Sequence, residues 1–213
     1  LLGFYLADGS CSDRNGIRLS IGKRNVRFAG EMAAAFKAVF GLDPKQYPIS
    51  RGAGELKLVN RVAALAWQHV FGYQSMDSLT KRIPDLVFNV DDPLRQAFLR
   101  GYMLGDGCVT SGRLVFSTSS RDVASGVSYL LSSFGVVARI HEIDADRVAQ
   151  RCGDQQFKST HRHWQVAVSA SDDQRKLENV WRDHAGAPTI SEKLARGDVP
   201  RRHRFDTIDG DLI

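Results

Sequence analysis

Cysteine is scarce: Cys11, Cys108 and Cys152 are the only three in 213 residues. So odd and sparse a set builds no disulfide framework and suits a reducing compartment, so a cytoplasmic location is expected. Long hydrophobic runs are also missing, and nothing approaches the roughly 18–20 apolar residues that a membrane helix needs. No glycine-rich phosphate loop of the nucleotide-binding kind occurs, so ATP is not implied. There is no initiator methionine and no basic–apolar–small leader; the chain opens at Leu1, as a trimmed or excised segment would. What is present is ordinary for a folded protein: 43% hydrophobic, 25% charged and 9% aromatic residues. That balance excludes a long disordered chain and a collagen-like fibre. Basic residues exceed acidic ones by 29 to 24, giving a net charge of +5 and a pI near 9.3. The surplus permits a nucleic-acid partner without requiring one.

The chain repeats itself. LLGFYLADG at its start returns as LRGYMLGDG at Leu99, with Leu, Gly, Leu, Asp and Gly at matching offsets and an aromatic at the fourth. After the first copy, residues 17–22 alternate like a strand, with Ile17, Leu19 and Ile21 on one face. A helix is expected from about Asn25 to Phe40, ending at Gly41. Residues 46–50 and 55–60 read as a hairpin, and 61–71 as a helix closing at Gly72. The second half follows the same order. Residues 113–118 read as a strand, 120–134 as a helix closing at Gly135, 136–143 and 164–169 as strands, and 172–184 as a helix. Each half thus reads α-β-α-β-β-α, with room for one more strand after the motif. The boundary falls at 89–93, with Asp92 as helix N-cap and Pro93 as first helical residue. The repeats are therefore 1–91 and 92–213, the second carrying an insertion at about 144–163.

Gly3 and Ala7 lie four apart, as do Gly101 and Gly105, giving each motif helix a stripe of small residues. Glycine inside a helix is unfavourable by about 1 kcal/mol relative to alanine, so it calls for a packing reason. Close approach of the two motif helices, about a pseudo-two-fold axis, is that reason. Asp8 and Asp106 then emerge side by side at helix C-termini, where they oppose the macrodipole and repel each other. Bound divalent cations resolve both problems, and hard oxygen ligands suit magnesium. A single Asp-Gly would more simply end a helix; a duplicated pair at a seam reads as a site.

These two nonapeptides resemble the signature motifs of the LAGLIDADG homing endonucleases, in their single-chain, two-motif form. KRIP, at Lys81 to Pro84, resembles a block of the intein-borne members. Leu6 and Leu104 stand where the family name has an acidic residue. The resemblance implies an α+β fold: a pseudo-two-fold pair of αββαββα-type repeats, two antiparallel saddle-shaped sheets, and motif helices packed at the central interface. It implies a site-specific double-strand DNA endonuclease, making a short staggered cut for the homing of an intein or intron. It further implies that Asp8 and Asp106 hold Mg2+ or another divalent cation, with the backbone carbonyls of Ala7 and Gly105 as extra ligands. Intein-type members place a lysine near each active site. Lys81 fills that role in the first half. In the second, Lys193 follows His184 by the same nine residues that separate Lys81 from Gly72. The implied partner is double-stranded DNA with a long specific site, bound by a monomer with internal pseudo-symmetry and no membrane association. The chain shows neither a nucleophilic first residue nor a His-Asn end, so any splicing segments lie outside it. The alternative is a non-cleaving nucleic-acid binder on the same scaffold, an RNA maturase or a transcription regulator. Retention of both aspartates speaks against that.

Base reading is expected from the polar strand faces: Arg18, Ser20 and Lys57 in the first half, and Arg113, Ser117, Arg139, His141, Gln165 and Ser169 in the second. Such faces are otherwise simply solvated. Lys23, Arg24, Lys158 and Arg162, with Arg14, Arg27, Arg147 and Arg151, fit phosphate positioning, as do Arg201, Arg202 and Arg204 near the end. Cys152, His161 and His163 match no zinc spacing, and a DNA-contacting loop is the better reading. Cys11 and Cys108 read as small packing residues, and Trp67, Trp164 and Trp181 as core or strand-end aromatics.

Overall fold

The alternation of Ile17, Leu19 and Ile21 with Arg18 and Ser20 makes one face of a strand apolar, and that face governs how the first repeat packs. The computed structural model describes residues 1–50, 53–73, 77–145, 149–152, 155–158 and 161–197. Helix α1 (Leu2–Asp8) runs directly into β1 (Gly9–Ser12), the extra strand for which the sequence left room. β2 (Gly16–Gly22) folds back antiparallel, setting Leu19 opposite Gly9. The helix expected from Asn25 begins later: Lys23–Phe28 form 3-10 turns, and α2 covers Ala29–Phe40. No side-chain cap starts a helix at Gly22, and the Asn25 amide is drawn to a carbonyl of the other repeat. α2 ends at Gly41 with φ 67, the left-handed stop that the sequence suggested. β3 (Lys45–Ser50), β4 (Ala53–Leu58) and α3 (Arg61–Phe71) complete the repeat. The Asn60 side chain caps α3 by accepting from the Ala63 amide.

A short α4 (Asp85–Phe88) leads to α5 (Asp92–Asp106), whose N-cap is Asp91 and not Asp92; Pro93 sits in its first turn. β5 (Gly107–Thr110), β6 (Arg113–Thr118) and α6 (Arg121–Ser133) follow, then β7 (Arg139–Ile143). The insertion holds a separate hairpin of β8 (Ala149–Cys152) and β9 (Gln155–Lys158). β10 (His163–Val168) returns to the main sheet. The single helix expected over 172–184 is instead α7 (Ser171–Lys176) and α8 (Glu178–Trp181), broken at Leu177. The break follows from Gln174: its carbonyl accepts the Trp181 indole N–H at 2.7 Å. Its fully buried amide bridges the carbonyls of Gly112 and Val168. A further helix, α9 (Ala187–Ala195), opens with proline in its first turn and had no counterpart in the sequence reading.

The two main sheets have the same order, β1-β2-β4-β3 and β5-β6-β10-β7, all pairs antiparallel. Each repeat is therefore αββαββα, as the resemblance implied. Inner faces carry Ile17, Leu19, Leu56 and Leu58 in one half and Leu114, Phe116, Val166 and Val168 in the other, all buried in one continuous core. Trp67 and Trp181 join that core, and Trp164 packs at its edge. No helix among the described residues is long and apolar enough to cross a membrane.

Candidate active site

The seam between α1 and α5 shows why both motifs carry small residues. A β-carbon on Gly3 would stand 1.9 Å from the Phe98 carbonyl oxygen, and one on Gly101 would stand 2.9 Å from the Phe4 amide nitrogen. Backbone therefore meets backbone. One turn further on, a β-carbon on Gly105 would lie 2.4 Å from that of Ala7 and 3.2 Å from Asp8 Oδ2. The seam thus delivers Asp8 and Asp106 to one place. Burial raises both carboxylates, and the Asp8 charge adds to the rise at Asp106, which is pushed up to about 7; the Lys81 charge opposes each shift. Among the described residues none donates a hydrogen bond to either carboxylate.

Lys81 reaches this place from the connection after α3. Its ammonium donates to the carbonyls of Leu6 at 2.8 Å and of Ala7 and Gly9 at 3.3 Å. These include last-turn carbonyls left without helical partners, so a cation caps a helix that carries no basic residue of its own. Burial lowers the Lys81 pKa, partly offset by Asp106 and Asp8. The segment is fixed on both sides. Asp77 accepts from the Leu79 and Thr80 amides, and Ser120 Oγ donates to the Lys81 carbonyl at 2.5 Å.

Lys193 does not join them. Its ammonium donates to the carbonyls of Gly112 and Ser169 and to Gln174 Oε1 at 3.1, 2.6 and 2.9 Å. Gly112 lies in the turn beyond β5, and four strand residues at about 3.3 Å each separate that turn from Asp106. Counting nine residues on from His184, as from Gly72 to Lys81, fails because α8 and α9 do not copy the path of the first repeat. Two groups that the sequence reading missed stand by the second motif instead. Asn25 Nδ2 donates to the Leu104 carbonyl at 2.6 Å, and His184 Nε2 to that of Gly107 at 3.2 Å. Nothing in the local sequence marks either, since both act across the fold.

A cleft of about 400 Å3 opens beside Asp106, lined by Lys81, Gly105, Ser117, Thr118, Ser119 and His163 among others. On the first sheet the open face brings Arg18 opposite Lys57 and Ser20 opposite Glu55. Arg18 is held by Ser10 Oγ at 3.1 Å and Glu55 at 3.2 Å. On the second sheet Ser117, Gln165 and His141 lie abreast, and Arg139 and Arg113 flank them, but Val115 and Ala167 on the same face are buried. That face is less polar than the alternation suggested. Ser169 lies just past the end of β10, and Lys23 and Arg24 stand exposed in the 3-10 turns. Arg162 pairs with Glu142 at 2.7 Å, tying the base of the insertion to β7. The side chains of Lys158, Arg151 and Cys152 lie outside the described residues, as do Arg147, Arg201, Arg202 and Arg204. Cys11 donates weakly to the Ala64 carbonyl, and burial raises both it and Cys108. They are packing residues.

Residues 93–181 match the family model of the LAGLIDADG-like domain, and the residues before them fold to the same sheet order. The second half of the chain thus resembles the LAGLIDADG-like domain. Among solved structures, the homing endonuclease I-DmoI, in complex with DNA and Ca, has a TM-score of 0.60 at 14% identity. That match covers 90% of this chain and 94% of I-DmoI. The N-terminal LAGLIDADG domain of DUF199/WhiA has a TM-score of 0.51 at 15% identity, covering 84% of this chain and 79% of that one. Both likenesses concern the fold. In sequence, a DNA polymerase of Thermococcus hydrothermalis is 28% identical over 145 residues, 65% of this chain. This chain spans only 8% of that polymerase's length.

The donor set at the seam between α1 and α5 suits a hard divalent cation. Two carboxylates without hydrogen-bond donors converge at helix ends where anions are disfavoured, and no third His, Cys, Asp or Glu joins them among the described residues. Such a site is half built by protein and leaves positions for water and phosphate oxygens, as magnesium prefers.

Proposed function

We propose that this chain is a site-specific endonuclease that hydrolyses one phosphodiester on each strand of double-stranded DNA, leaving a short stagger. The observation that carries the reading is the meeting of Asp8 and Asp106 at the seam, one carboxylate from each repeat. A divalent cation bound there would activate water and stabilise charge on the leaving oxygen. Asp8 and Asp106 would hold it, with the Ala7 and Gly105 carbonyls as further oxygen donors. Each cut adds one water across a P–O bond, leaving an alcohol and a phosphate monoester. Lys81 brings a positive charge to the same cleft, where it keeps the end of α1 in place and offsets phosphate charge. Arg18, Lys57, Arg113, Arg139, His141 and Gln165 lie on open strand faces that suit base and phosphate contacts in the major groove. One monomer presents two such faces and so takes a long site. The match to a small part of a longer polymerase supports an intein-borne homing role.

The test is cleavage of a supercoiled plasmid carrying a site selected from a randomised insert library. The wild type linearises it in Mg2+. Asp8→Asn and Asp106→Asn lose linearisation while still retarding the duplex in a gel. Full linearisation by either variant overturns the assignment. Sequence-specific binding by the wild type with no cleavage in Mg2+ or Mn2+ would instead favour a non-cleaving binder.

A further inference from the structure

Lys81 follows α3 and returns to its own motif, donating to the carbonyls of Leu6 and Gly9. The carbonyls at the same offsets of the second motif are those of Leu104 and Gly107. Two neutral donors meet them: Asn25 Nδ2 at Leu104 and His184 Nε2 at Gly107. Both residues lie in the connection after a helix, Lys81 beyond Phe71 of α3 and His184 beyond Trp181 of α8, and it is the acceptor's offset in the motif that they share.

We propose that His184 is the second repeat's counterpart of Lys81, a positioning residue that holds the Asp106–Gly107 end of α5 against the seam. The proposal rests on the nuclease reading above. The hydrogen bonds leave one tautomer: Nδ1 accepts the Gly186 N–H at 2.9 Å, so Nε2 carries the proton it donates. The ring is clamped from both sides. A β-carbon on Gly186 would stand 2.5 Å from that of Val109, so the turn before α9 sits directly on the strand that follows Asp106. The preceding residue is fixed too. Asp183 accepts Arg100 of α5 at its carboxylate, 2.7 Å away, and Arg27 of the 3-10 turns at its carbonyl, 2.5 Å away. Asn25 supplies the second anchor from the first repeat. What one ammonium does for α1 is thus divided between an imidazole and an amide for α5, and the two half-sites differ in charge. Each anchor governs the strand cut at its own end.

The experiment uses the full chain with the selected plasmid site, each strand labelled separately, and Mn2+ binding to the protein–DNA complex followed by EPR. His184→Ala should shift the ratio of the two strand rates about tenfold, the effect of losing one hydrogen bond. Lys81→Met should shift that ratio the other way. Mn2+ binding should weaken in His184→Ala, and His184→Gln, which keeps a donor, should restore both the ratio and the binding. Thermal unfolding confirms that each variant is folded. Equal slowing of both strands in folded His184→Ala, or no recovery in His184→Gln, overturns the proposal. If the wild type cuts no DNA, the nuclease reading fails, and the Mn2+ titration alone then decides the role of His184.

Discussion

Asp8 Oδ2 lies 3.2 Å from the point where a β-carbon of Gly105 would stand, so the carboxylate of one repeat rests on the bare backbone of the other. Gly105→Ala puts a methyl group there and against Ala7. The variant should lose about 1–3 kcal/mol of stability through overpacking, and plasmid linearisation should fall at least as far as in a buffer short of metal. Urea unfolding and a cleavage time course measure the two effects. Gly30→Ala, with open space around its β-carbon, is the control and should leave both unchanged or gain slightly in stability.

Gly3→Ala and Gly101→Ala strike backbone atoms, which cannot turn aside as a side chain can. Of the two, Gly3→Ala faces the shorter approach, 1.9 Å against 2.9 Å, and should be the more damaging. Chemical denaturation of both, side by side, checks the order.

The pH dependence of the metal-free chain follows from Asp106. Its folded pKa of about 7 exceeds the ordinary 3.8, so between those values the folded chain keeps a proton that the unfolded chain has released. Stability therefore falls as pH rises through that window, by at most about 4 kcal/mol; Asp8 adds in the same direction. His163 and His184, which burial holds below the ordinary imidazole value, work the other way. The difference between wild type and Asp106→Asn isolates the carboxylate. In EDTA the wild-type Tm should drop relative to that variant from pH 5 to 7.5. Mg2+, binding the ionised folded site, should recover more at pH 7.5 than at pH 5. A wild-type Tm that rises against the variant would refute this.

Lys193→Met removes a charged donor from Gly112, Ser169 and Gln174 at the far end of the second sheet. The expected loss is about 1–3 kcal/mol of stability, with strand cleavage at saturating Mg2+ unchanged. A large fall in cleavage by a fully folded variant would return Lys193 to the active site.

The contrast between Lys81 and Lys193 marks how far the sequence could be read. Duplicated glycines and aspartates announce helix ends that meet, because small side chains at a four-residue spacing have few other uses. Lys81 sits in a segment whose local text is distinctive. Lys193 rested on counting residues, and counting fails where Gln174 breaks a helix with its own buried hydrogen bonds. Asn25 and His184 were illegible for a related reason. Each earns its place through a carbonyl about eighty positions away, and carbonyls leave no trace in sequence. The buried Val115 and Ala167 likewise kept the alternation of β6 and β10 from defining a fully polar face.

Ala7 against Gly105 is a difference of one methyl group across a seam where Gly3 and Gly101 match. Two copies of the first repeat would bring Ala7 to Ala7 and collide; two copies of the second would meet at Gly105 with slack and without Lys81. Only the mixed pair both fits and is capped. Separated halves, expressed together, should accordingly reassemble with each other in preference to themselves, so that the joint between the repeats enforces an unlike partnership between descendants of one unit.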